Sequence, residues 1–319
     1  MKKSFVLGAL MLLALPSMAC DQCSCGLLLG VQPKDHANNF GLQYRMRYLK
    51  GDMLVPAEQL KVLKHGGHDH GAPEMTNADY VETYAVLEAR GQVWLGDRTS
   101  ISASVPLLKN LQAVNGTARA DLYAVGDPTL LVRHAVFAST TGLDTIRIRH
   151  RFTVGLGLSL PLGRTDVVQH GELLDHDLQP GTGTWDPMLS LEYVVRGKAW
   201  GGSFSALGRY NTEAADGHRM GHAGTFSAEL FRLIPVGKFS LLPSVGAYGE
   251  TMLKDEMHGE ADPTTGSNIL FSHAGMRVWW KQLGLQLAWQ HAVVNDLGSA
   301  MVPNRNRFLA GLTYSFGQD

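Results

Sequence analysis

No stretch of this sequence is long and apolar enough to cross a bilayer as a helix, which takes about 20 residues. The one long apolar run, Phe5 to Leu15, stops at Pro16. Charge of one sign is also missing. The net charge is −1, so nothing points to nucleic acid as a partner. A nucleophile motif is absent too. There is no GxSxG, and His150 and Ser159 fall on opposite faces of one expected strand. Nucleophilic hydrolysis needs a Ser/His/acid set or similar brought together at one site, so a non-enzymatic protein is expected. Cysteine is scarce: the only three lie within six residues.

Glycine, by contrast, is abundant, with 36 residues. It serves both tight turns and strands that must curve. The first residues are also informative. Lys2 and Lys3 precede the apolar run, and Ser17-Met18-Ala19 puts small residues at −3 and −1 of a cleavage point. That is a secretory signal peptide over 1–19. Cys20 follows directly, so lipid attachment is an alternative fate for it. A lipoprotein signal usually has Leu where Ser17 stands.

From about residue 38 the chain repeats one kind of segment, about ten residues long, alternating apolar with polar or small residues. Such alternation marks a strand with two different faces. The first sets Phe40, Leu42, Tyr44, Met46 and Tyr48 against Gln43, Arg45 and Arg47. The others run near 80–93, 99–108, 128–138, 146–161, 186–196, 200–211, 224–234, 239–252, 269–280, 284–294 and 306–316. The connections alternate in length. Those at 49–79, 109–127, 162–185, 212–223, 253–268 and 295–305 are long, and those between them are short. Outer-membrane barrels have long loops outside, short periplasmic turns and an even strand count. A soluble β-sandwich has no reason to sort its loops this way. The expected fold is all-β: a single transmembrane antiparallel β-barrel of about twelve strands over 38–319, behind a segment at 20–37.

The last strand carries Gly311, Tyr314 and Phe316. This spacing is similar to the C-terminal signal read by the barrel assembly machinery. The machinery and outer-membrane lipid are therefore expected partners. Tyr48, Tyr80, Trp94, Trp185, Trp200, Tyr210, Trp279, Trp280 and Tyr314 lie near strand ends, as interfacial aromatic girdles do.

Three groups of residues could carry chemistry. Cys20, Cys23 and Cys25 have the C-x-x-C-x-C spacing. In an oxidising periplasm a disulfide or redox pair is one reading, a soft metal site another, and lipid on Cys20 a third. His65, His68 and His70, with Asp69, sit in the first long loop. Imidazoles this close suit copper or zinc, though a plain solvated loop is equally consistent. The third group is a charged strand face: Arg45, Arg47, Glu82, Glu88, Arg90, Arg133, Arg147, Arg149, Arg151, Glu192, Arg209, Glu229, Glu250 and Arg277. If it lines the lumen, it either closes the barrel as a structural network or selects anions and organic acids.

Val125 to Leu130 and Gln179 to Pro187 are distinctive. The chain here resembles a family of outer-membrane β-barrel transporters of the phenol-degradation MetA-pathway type, whose strands begin with similar glycine-rich turns. The cysteine cluster resembles a subgroup of that family. The resemblance implies a barrel with a transport role and does not identify a cargo. The expected function is a channel for a small solute or metal ion, linked to transition-metal handling. The alternative is a metal-binding or structural outer-membrane protein that transports nothing. Segment 20–37 is expected inside the lumen or at its periplasmic mouth.

Overall fold

A computed structural model describes residues 37–56, 75–139 and 148–317. The signal peptide, Cys20, Cys23, Cys25, His65, His68, His70 and Arg147 lie outside the described residues.

Twelve long antiparallel strands form one closed wall. They are β1 (Asn38–Pro56), β2 (Met75–Leu95), β3 (Thr99–Val114), β4 (Thr129–Ala138), β5 (Arg149–Ser159) and β6 (Asp186–Arg196). Then come β7 (Trp200–Arg209), β8 (Ala223–Arg232), β9 (Phe239–Met252), β10 (Ser267–Trp280), β11 (Leu283–Leu297) and β12 (Asn304–Phe316). Each pairs with its neighbours in sequence, and β12 pairs back onto β1 from Phe316↔Asn38 to Asn304↔Leu49. Among these described strands no edge of the wall is left to pair with another chain, as a wall in hydrocarbon requires.

The alternation of side chains sorts the two faces. Phe40, Leu42, Leu156, Leu189, Phe204, Leu230, Val245, Leu287 and Leu312 are all exposed, Leu156 to 67%. In water such a belt of exposed large apolar side chains would be a severe aggregation hazard. Around a closed barrel it is the lipid-facing surface, and the polar side chains turn inward. The protein is a transmembrane barrel of the outer-membrane type.

Trp185 and Tyr210 are exposed at the long-loop end of the wall, and Trp200, Trp280 and Tyr314 at the short-turn end. Arg232 lies over the Trp200 ring at 5.3 Å and Lys281 over Trp280 at the same distance. Tyr80 and Trp279 do not belong to these girdles. Both are buried, because they sit at inward positions of β2 and β10. Trp279 packs there with Phe231 and Leu242, an apolar layer inside the short-turn end.

The first connections differ from the sequence reading. Strands β1 and β2 remain paired out to Pro56↔Met75, well into what reads as a polar loop. The stretch 109–127 is largely a hairpin, with Thr117–Val125 folding back on β3. Its turn is Asn115-Gly116, both at positive φ (48° and 76°). That dipeptide is the favoured two-residue hairpin turn.

Placing a charge on the outer face tests the orientation of the wall. Leu156→Arg is expected to lower unfolding free energy in lipid vesicles by about 2–4 kcal/mol, and Leu156→Phe by less than about 1. Equal effects in urea titrations of the refolded barrel would mean that Leu156 does not face lipid.

Candidate functional site

Charged side chains that point into a closed barrel must find partners there, because a buried unpaired charge is costly. Near the long-loop end, Glu250 of β9 accepts a hydrogen bond from Arg307 of β12 and forms an ion pair with Arg47 of β1. Arg47 and Arg307 stand directly opposite one another where β1 and β12 close the wall. Like charges so placed repel, and one carboxylate neutralises the repulsion. Because β10 and β11 lie between β9 and β12, Glu250 reaches across the interior rather than along the wall. Below this bridge the Arg307 guanidinium lies 4.4 Å from the centre of the Tyr248 ring, and Arg47 lies 5.9 Å from that of Phe271. Tyr248 and Phe271 face each other across β9 and β10, 6.0 Å apart.

Other clusters follow down the interior. Arg277 donates to both Glu229 oxygens, at 3.0 and 3.1 Å, the planar fork that suits guanidinium and carboxylate. His273 Nε2 is 3.8 Å from the same carboxylate, and Gln290 Nε2 is 3.0 Å from His273 Nδ1. On the opposite wall Glu192 meets Arg133 at 2.8 Å and Arg151 at 3.1 Å. Arg90 donates to Glu88 at 2.6 Å. Glu82 accepts from Gln112 at 2.6 Å and from the Tyr84 hydroxyl at 3.1 Å. Arg45 lies in the field of Glu88, Arg90 and Arg307, and Arg209 is buried near the long-loop end. Arg149, by contrast, is exposed at the first position of β5, so it stands at the rim.

Among the described residues the inward-facing arginines are Arg45, Arg47, Arg90, Arg133, Arg151, Arg196, Arg209, Arg277 and Arg307, with Arg196 near the short-turn end of β6. Against these nine stand five glutamates, Glu82, Glu88, Glu192, Glu229 and Glu250, and three buried aspartates at the long-loop end, Asp127, Asp186 and Asp255. Arg307, Tyr248, Phe271, His273 and Gln290 were not singled out from the sequence. Arg307 was available from the alternation of the last strand, because it shares a face with Gly311.

The two distinctive glycine-containing stretches meet at the long-loop mouth. Asp127 accepts from the Gly163 amide at 2.8 Å, and from the Thr182 amide and hydroxyl at 2.8 and 3.0 Å. Asp186 accepts from the Thr184 hydroxyl at 2.7 Å and the Thr212 amide at 3.0 Å. A Cβ on Gly181 would lie 2.5 Å from the Gly163 carbonyl oxygen, so the two strands of loop can touch only through glycine. These residues therefore fasten the loops onto the strand ends. Nearby, His176 and His218 stack at 3.6 Å, and His176 Nε2 is 3.8 Å from Asp216. Burial, with the neighbouring His176, lowers the His218 pKa to about 4, although Asp216 opposes the shift. Among the described residues no three His, Cys, Asp or Glu side chains form a group that could hold a metal ion.

A cavity of about 110 Å³ opens at this mouth between β1, β2, β3 and two loops. Arg47, Glu82 and Gln112 line it from the wall, and Asp175, Leu178 and Met301 from the loops. Asn110 Nδ2 donates to the Leu178 carbonyl at 3.3 Å, drawing the first of these loops inward.

No match to the sequence was found among known families or among curated proteins. The structure is similar to solved ones. Against the COG4313 outer membrane channel from Pseudomonas putida F1 the TM-score is 0.59 at 15% identity, covering 90% of this chain and 100% of that one. The likeness is one of fold. The β domain of the Bordetella autotransporter BrkA gives a TM-score of 0.44 at 12% identity, over 88% of this chain and 100% of that one.

Glu250→Ala leaves Arg47 and Arg307 buried and facing each other, and should cost roughly 3–5 kcal/mol in urea unfolding, with Glu250→Gln costing less. A loss for Glu250→Ala below about 1 kcal/mol, the range of exposed pairs, would show that Glu250 is not their counter-ion. For His218, the folded state binds its proton only near pH 4, whereas an unfolded histidine does so near about 6.5. The unfolded form therefore holds more protons between these values, and the loop contact weakens as pH falls from about 6.5 to 4. Hydrogen exchange around 216–219, corrected for intrinsic rates, should show less protection at pH 5 than at pH 7.5. His218→Phe should remove that dependence.

Proposed function

We propose that this chain is an outer-membrane channel for a small solute, with an interior that favours anions. The observation that supports this most directly is the set of inward arginines, nine against five glutamates along the strands of one closed wall, with three buried aspartates confined to the long-loop end, among the described residues. Stability alone does not call for such a set, since buried ion pairs are often replaceable by apolar side chains at no loss. A path for charged solute does call for it. The family resemblance at Val125 to Leu130 and Gln179 to Pro187 points the same way, and we assign the chain to the cysteine-cluster subgroup of those transporters. The Pseudomonas protein of similar fold is likewise described as an outer membrane channel. The barrel assembly machinery is the expected partner for Gly311, Tyr314 and Phe316.

A link to transition metals belongs to the same reading. Cys20, Cys23 and Cys25 on the periplasmic side, and His65, His68 and His70 in the first long loop, supply thiolate and imidazole ligands for copper or zinc. Segment 20–37 sits in the lumen or at its periplasmic mouth.

Planar bilayers holding the purified protein test the channel. Unitary conductance steps are expected, with a reversal potential on the anion side in a KCl gradient, and larger steps after deletion of 20–37. Silence from both proteins sinks the transport reading, and equal steps remove the segment from the lumen. Elemental analysis of the same preparations should find copper or zinc that falls on Cys23→Ser or on loss of the three loop histidines. Equal metal content in all of them ends the metal part.

A further inference from the structure

The nine inward arginines do not all stand alike. Arg47 and Arg307 share Glu250, Arg133 and Arg151 share Glu192, Arg90 has Glu88, and Arg277 has Glu229. Arg196 and Arg209 are engaged as well. Arg45 is the exception: among the described residues, no hydrogen bond or ion pair reaches its guanidinium. It lies one inward position below Arg47, toward the short turns, and its neighbours across β12 and β2 are Leu309 and Val86. Both are buried and apolar, so neither side chain offers an acceptor. The carboxylate whose field it feels is Glu88, and that group is spent on Arg90, at 2.6 Å, and on the Ser104 hydroxyl. Arg307 and Arg90 add positive charge nearby.

A charge taken out of water without a partner is costly. A methionine of similar length would fill this place without that cost, so stability gives no reason for an arginine here. The guanidinium is also not sealed. Each of the other eight inward arginines keeps its Nε buried and unbonded; among the described residues Arg45 has no nitrogen in that state, and at 6% exposure its free N–H groups open onto the interior space. A guanidinium presents its donors as a planar fork that matches the two oxygens of a carboxylate. Tyr248, the other group nearby with an unbonded donor, has its hydroxyl sealed away, so one fork is what a ligand meets. That favours a carboxylate, with two oxygens, over a phosphate, with three.

We propose that Arg45 is an anion-binding subsite of the barrel interior, taking the carboxylate of a small organic acid on its guanidinium fork. The proposal deepens the channel reading by naming the group on the solute, and it rests on that reading for how the acid arrives. Binding and conduction are measured apart. Acetate held by a barrel that is silent in bilayers keeps the subsite and removes the channel; conduction without acetate binding does the opposite.

Saturation-transfer NMR on the full chain refolded in detergent micelles, with heat-modifiable gel mobility as the folding check, tests the subsite. The probe is acetate, with phosphate as competitor. Saturable acetate binding is expected. Arg45→Met should weaken it by roughly tenfold or more, and Arg45→Lys, which keeps the charge without the fork, by less. Because the cation has no partner, the urea midpoint of Arg45→Met should equal or exceed that of the parent chain. This separates a binding cation from a structural one, whose loss would lower the midpoint. No saturable binding, unchanged binding in folded Arg45→Met, or a lowered midpoint overturns the subsite. Displacement of acetate by lower concentrations of phosphate makes it a phosphate site and overturns the carboxylate. Binding that appears only after deletion of 20–37 gives the place to a group of that segment and overturns a solute site.

Discussion

Everything in this molecule depends on one constraint: in hydrocarbon no backbone amide or carbonyl can be left unpaired. Pairing β12 back onto β1 meets it. Once the wall is closed, alternation leaves each side chain only two destinations. Most leucines, valines and aromatics take the lipid side, while Phe231, Leu242, Tyr248, Phe271 and Trp279 turn inward. Arginines, glutamates and glutamines have nowhere to go but inward. The interior chemistry is thus a by-product of closure before it is anything else.

The ordering of that interior is a separate matter. An apolar layer of Phe231, Leu242 and Trp279 fills part of the short-turn end. Above it come the Arg277–Glu229 fork, then the ring pair Tyr248 and Phe271, then the Glu250 bridge. The ring pair belongs to a larger apolar cluster that continues past the bridge to Met188, Met220 and Met252 under the loops. Charged and apolar groups are thus interleaved along the interior.

Much of the wall was legible in the sequence, and the reasons differ from strand to strand. The bounds of β6 and β9 match the expected ones, although Met188 and Val194 on β6 and Leu242, Tyr248 and Met252 on β9 put apolar side chains on the inward face. β1 and β2 run further than their alternation suggests. Beyond Tyr48 the outward positions turn polar while the inward ones, Leu49, Ala78 and Tyr80, stay buried, so Lys50, Asp52, Asn77 and Asp79 read as a loop although their backbones remain paired. The Asn115-Gly116 turn was a signal that could have been used. The partner of each inward charge was harder to see. Alternation tells that Glu250 and Arg307 share a side of the wall. That they meet across the interior depends on the stagger of strands far apart in sequence.

The place where the wall is sewn shut carries a further consequence. β1 and β12 come together with Arg47 against Arg307, so the final zipping of the seam is opposed by repulsion unless Glu250 is already in place. A barrel that tried to close early, with β9 still outside, would meet this repulsion at its last step. One with all strands in order would not. The seam thus depends on a carboxylate lent by a strand that does not belong to it.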